Sequence, residues 1–181
     1  MNEVIISDED RRLLGLWTAD CAERALALFE AKAPADTRPR EAIEGARTFA
    51  REGKRTALLR AQAHAALAAA REVDDPAAAA AARAAGYAAA SPYIHPLATP
   101  HQVKHALEPA THAALACELA AADGGDVTTD AATDVGDAEI RWAIEHAPPA
   151  VRELVGRFPE CTPGRTRQAV LRRRLDEALR T

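Results

Sequence analysis

Apolar residues recur along this chain at intervals of three and four, in segments bounded by proline and glycine, which predicts a succession of amphipathic helices. Leu13, Leu14, Trp17, Cys21, Ala25, Leu28 and Phe29 fall on one stripe of a first helix. That helix opens with the capping-box spacing of Ser7 and Asp10, carries acids in its first turn, and ends at Pro34. A second helix starts with Pro39 in its first turn and stops at Gly53, with Ile43, Ala46, Phe49 and Ala50 facing inward. A third covers about 56–72, and Asp75-Pro76 opens a fourth that reaches about residue 90.

SPYIHP reads as a turn. Thr99-Pro100 opens a further helix that Pro109 breaks or restarts before the pattern runs on to residue 122. Residues 123–137, DGGDVTTDAATDVGD, lack apolar periodicity and read as an acidic linker loop. Beyond it, Ile140, Ala143, Ile144 and Ala147 mark a short helix, and Val151, Leu154, Val155 and Phe158 another after Pro148-Pro149. An arginine-rich final helix follows Pro163-Gly164, with Leu171, Leu175 and Leu179 on one side. No segment alternates as a strand does. The expectation is an all-α, compact bundle of about seven to nine helices, with a core over 1–122, the linker over 123–137, and C-terminal helices over 138–181 packed on the core.

Composition sharpens this picture. About a quarter of the 181 residues are alanine and only 4% are aromatic, so the core depends on close helix–helix approach more than on large interlocking side chains. Six alanines in a row, 77–82, look like low complexity, yet the start signal before them makes them a central, tightly packed helix. Alanine-rich helices pack equally well within a chain or between two, which leaves a homodimer open. The net charge is −4, which disfavours nucleic acid as a partner. That charge is uneven: residues 165–181 carry six arginines against Asp176 and Glu177, leaving −8 on the rest. The basic helix either docks on its own acidic body or reaches a partner, nucleic acid included. The N-terminal segment lacks the pattern of a signal peptide and no stretch is apolar enough to span a bilayer, so the expected location is cytoplasmic, without membrane contact.

Candidate chemistry is sparse. The cysteines at 21, 117 and 161 form no CxxC unit and no disulfide framework. In HQVKH, His101 and His105 stand at i and i+4, a spacing that suits two ligands to one metal, with His95, Glu108, His112 and Cys117 nearby. The metalloprotease form needs a glutamate where Gln102 stands, so ordinary surface histidines are preferred and no cofactor is expected. Aspartates 123, 126, 130, 134 and 137 lack the alternating spacing of a calcium loop. Asp20 and Arg24 can pair at i, i+4 within the first helix or meet a partner. Arg60, His64 and Arg71 share a face of the third helix with Leu67, either pairing with acids on a neighbour or lining a polar groove. No nucleophile stands with a base and an orienting group, and no phosphate loop is present.

The segments LWTADCAERALALFE, PADTRPREAIEGARTFAREG, AQAHAALAAAREVDDPAAAAAARAAGYAAA and HPLATPHQVKHALEPATHAALA resemble the alanine-rich, all-helical "putative immunity protein" group of bacterial polymorphic toxin systems. The resemblance covers about residues 11–122, and its most specific parts run from Asp20 to Arg24 and from Arg38 to Glu44. AEIRWAIEHAPPAVREL resembles the tails of free-standing actinobacterial members. The resemblance implies a non-enzymatic protein that binds and neutralises a cognate toxin. Asp20, Glu23 and Arg24 are then the first partner-binding candidates, with Arg60, His64 and Arg71 as a second row.

Overall fold

Four helices begin where a side chain takes over orphan backbone N–H groups. Ser7 Oγ accepts from the Asp10 amide at 3.0 Å while Asp10 Oδ2 accepts from the Ser7 amide at 2.9 Å, completing the expected capping box. Thr56, Asp75 and Thr166 cap in the same manner. The computed structural model describes residues 3–123 and 129–181. Its elements are α1 (Asp8–Lys32), α2 (Arg38–Glu52), α3 (Ala57–Glu72), α4 (Pro76–Ala90), a 3-10 turn (Ser91–Tyr93), α5 (Pro100–Asp123), α6 (Thr129–Glu145), α7 (Pro149–Arg157) and α8 (Arg167–Leu179). The fold is all-α. Among the described residues the only extended pairing is a lone antiparallel bridge from Glu3 to Leu97. No described helix is long and apolar enough to cross a membrane.

The alanine tract becomes the centre of the bundle. α4 packs against α1, α2, α3 and α5, and all six alanines of 77–82 are buried. Short side chains let neighbouring backbones come close, and Gly86 marks the tightest place: a Cβ there would lie 2.7 Å from Leu67 Cγ and 3.1 Å from the Ala63 carbonyl of α3. Gly53 ends α2 in the left-handed region, φ 71°, with its N–H on the Phe49 carbonyl.

α1 is buried on more sides than its single predicted stripe. Ala19, Ala22, Ala25, Leu26 and Phe29 join the alanine core with α2, α3 and α4. Leu14, Trp17 and Cys21 join a second core of larger side chains from α5 to α8, including Val103, Leu107, Leu154, Val155, Leu171 and Leu175. Leu13 and Leu28 are only partly buried. The helix therefore lies between two half-cores and ties them together.

Two expectations need correction. Pro109 does not break the chain: α5 runs through it, and Pro109 is buried. A proline inside a helix costs about 3 kcal/mol or more, and packing of α5 on α1, α4, α6 and α8 outweighs that cost. Nor are residues 129–137 a loop. They form the first half of α6, with Asp130 in its first turn, where the helix dipole favours an acid. The four-residue spacing of the aspartates, wrong for a calcium loop, is the spacing of one helix face. Residues 124–128 of the expected linker, Asp126 included, lie outside the described residues.

Candidate functional site

α1 and α6 meet along a cleft of about 390 Å³ lined by Trp17, Asp20, Glu23, Arg24, Trp142 and His146. Both tryptophans of the chain face it. Trp17 is buried in the second core and donates its indole N–H to the Ala143 carbonyl at 3.0 Å, which fixes α6 on α1. Trp142 takes the Arg24 guanidinium over its ring, 4.2 Å from the centroid, and the His146 ring stacks on it at 4.1 Å. Glu139 and Trp142 stand three apart on one face of α6, and His146, in the turn that follows the helix, lies four residues beyond Trp142 with its backbone N–H on the Trp142 carbonyl. His146 Nδ1 lies 2.8 Å from the Trp142 carbonyl; a carbonyl only accepts, so Nδ1 carries the proton and Nε2 is the ring's other, outward nitrogen.

The expected Asp20–Arg24 pair within α1 does not form. Arg24 is instead forked onto Glu139 of α6, with Nη2 2.9 Å from Oε1, and Asp20 accepts from Arg47 of α2 at 3.1 Å. Glu139 takes both Nε and Nη2 of Arg24 in a bidentate fork across the two helices. The hydrogen bond that Arg24 donates to Glu139 raises the Arg24 pKa. Arg47 also donates to Glu23 and Glu44, and its hydrogen bond lowers the Glu23 pKa. Three carboxylates thus share one guanidinium beside the cleft, leaving the local surface acidic.

Other candidates are scattered. Arg60, His64 and Arg71 are exposed on α3, away from the cleft, and none of them is among the ion pairs of the described residues. Arg60 lies over Tyr93, 4.7 Å from the ring centroid. His101 and His105 touch each other, Nε2 to Nε2 at 3.2 Å, and burial followed by the neighbouring His101 lowers the His105 pKa. Among the described residues no group of three histidine, cysteine, aspartate or glutamate side chains is placed to hold a metal. All three thiols are free. Burial pushes Cys117 and Cys161 up to about 11 and Cys21 higher still, so none presents a ready thiolate.

Sequence reading missed a buried polar centre between α5 and α8. Glu108 is 2% exposed and accepts from His112 Nε2 at 3.0 Å, Gln168 at 2.8 Å and Arg172 at 2.9 Å. Burial alone raises its pKa, but the His112 hydrogen bond and charge, then Arg172 and Gln168, outweigh that and hold it at about 2. His112 stacks on Tyr87 at 5.3 Å, and its buried Nδ1 has no hydrogen-bond partner. Arg167 likewise pairs with Glu118 and Asp137 and Arg174 with Asp137, while Arg173 pairs with Glu177 and Arg180 with Asp176 inside the C-terminal segment. Arg167, Arg172 and Arg174 thus dock on acids of α5 and α6.

The sequence model of the family described as "Imm-5 like putative immunity protein" matches residues 5–150. The chain belongs to that family. No curated protein and no solved structure matches it. The family match extends past residue 122 through all of α6, so every residue lining the α1/α6 cleft lies within the immunity-family segment. It stops inside α7, which leaves Gln168 and Arg172 of the Glu108 centre beyond it. Trp142, His146, Glu139 and Arg47 were not singled out from sequence. The available signal was the scarcity of tryptophan, since two among 181 residues face one cleft.

Proposed function

We propose that this immunity-family protein binds and neutralises a cognate protein toxin without chemistry of its own, and that the α1/α6 cleft is the contact. The observation that carries it is the Arg24–Trp142–His146 stack, with Asp20 and Glu23 on its rim, inside the matched segment. Tryptophan and arginine dominate the energetics of protein–protein contacts because they give large, rigid area together with a polar handle. The stack is held in place before binding by Glu139, so little conformational entropy remains to be lost on association. An acidic surface steers a basic toxin toward the cleft.

The test is co-expression with candidate cognate toxins. Wild type restores growth of the host, whereas Trp142→Ala and Arg24→Glu lose about tenfold or more in affinity and no longer rescue. Rescue undiminished in both variants overturns the assignment of the cleft. Failure of the wild-type protein to bind or rescue overturns neutralisation itself.

A further inference from the structure

A groove of about 430 Å³ runs between α2 and α3, with Phe49 and Leu59 in its floor and Leu58 at its mouth. Phe49 and Leu59 are buried, but Leu58 is 67% exposed, an unusual position for a leucine at the head of a helix. Glu41, Glu44 and Glu52 of α2 line the same groove. Arg47 ties the linings of the groove and the α1/α6 cleft together by ion pairs, to Glu44 of the groove and to Asp20 and Glu23 of the cleft.

Charge across this face is unbalanced. Along the groove itself, Glu41, Glu44 and Glu52 stand against Arg40 and Lys54. Arg40 is forked onto Glu30 at 2.7 and 2.8 Å, and Arg47 is shared among three carboxylates. Arg40 is thereby drawn to a carboxylate outside the groove, and Lys54 is the lining cation left against Glu41 and Glu52. An apolar floor beneath an acidic wall matches a segment with the opposite arrangement: one large apolar side chain flanked by lysine or arginine.

We infer that the α2/α3 groove is a second anchor subsite, which takes a basic protein segment carrying one large apolar residue, seated against Phe49, Leu58 and Leu59. It rests on the reading that this side of the molecule receives a protein partner, and adds the chemistry of that partner. Leu58 supplies apolar contact, and the α2 glutamates select for positive charge. Arg47 links the two subsites, so a partner long enough to fill both gains the avidity of two contacts on one rigid surface.

The test is selection from a displayed library of random twelve-residue peptides against the immobilised full-length protein. The expected peptides combine at least two lysines or arginines with one leucine, isoleucine, phenylalanine or tryptophan. Their affinity for Leu58→Asp falls about tenfold or more, although that variant adds the negative charge the peptides favour and places an acid in the first turn of α3, where it suits the helix. Glu41→Gln with Glu52→Gln flattens the salt dependence of binding. Enrichment of acidic peptides, no enrichment at all, or unchanged affinity for Leu58→Asp overturns the inference. Peptides lost on Trp142→Ala and retained on Leu58→Asp overturn it while leaving the α1/α6 cleft as the contact.

Discussion

Replacing Glu108 by glutamine removes the charge at the centre of the α5–α8 contact with little change of shape. Glu108 is held at a pKa of about 2 against an ordinary 4.5. Its native pKa lies below the unfolded one, so the stabilisation is complete above about pH 4.5 and is lost as the pH falls toward 2. A gap of about 2.5 pH units corresponds to about 3 kcal/mol at neutral pH, which is the range for breaking one side of a buried ion pair. Urea unfolding of wild type and Glu108→Gln at a series of pH values isolates this group, because Asp10, Glu23, Asp36 and Asp137 also titrate low and cancel in the difference. The expected difference is about 3 kcal/mol at pH 7, shrinking steadily below about pH 4.5. Hydrogen exchange in α8 rises in the variant, since Arg172 and Gln168 lose their charged acceptor. A difference below about 1 kcal/mol at neutral pH, or one that stays constant to about pH 2.5, refutes the assignment of the shift to the folded centre.

Two further outcomes follow from packing and burial. Gly86→Ala improves helix propensity by about 1 kcal/mol, yet its Cβ would meet Leu67 and the α3 backbone, so the expected net effect is a loss of about 1–2 kcal/mol in thermal unfolding; equal or higher stability shows that α3 moves away freely. In the native protein at pH 8 a disulfide reagent labels half-buried Cys117 slowly and Cys21 only on unfolding, as followed by mass spectrometry; rapid native labelling of Cys21 contradicts its burial.

Much of the fold is legible in the sequence because it rests on local chemistry. Ser7 and Asp75 cap helices where their spacing says they do, and Gly53 closes α2 because a left-handed residue is needed there. Leu171, Leu175 and Leu179 face inward as their period requires. The candidate site is legible only in part. Asp20, Glu23 and Arg24 do line a cleft, but their partners come from α2 and α6, at 24 to 115 residues' separation. A local i, i+4 rule proposes Asp20 for Arg24; a bidentate glutamate brought up by folding wins on geometry.

The same division holds throughout. The chain by itself determined that it is all-α, where most helices begin and end, and that alanine would fill its centre, because caps, breakers and apolar period act within a few residues. Tertiary structure alone decided that α5 continues through Pro109, that the Asp-rich segment from Thr129 is helical, and that Arg167, Arg172 and Arg174 of α8 pair with Glu108, Glu118 and Asp137. Each of those outcomes is set by a neighbour distant in sequence, whose packing or charge outweighs a local preference of a few kcal/mol.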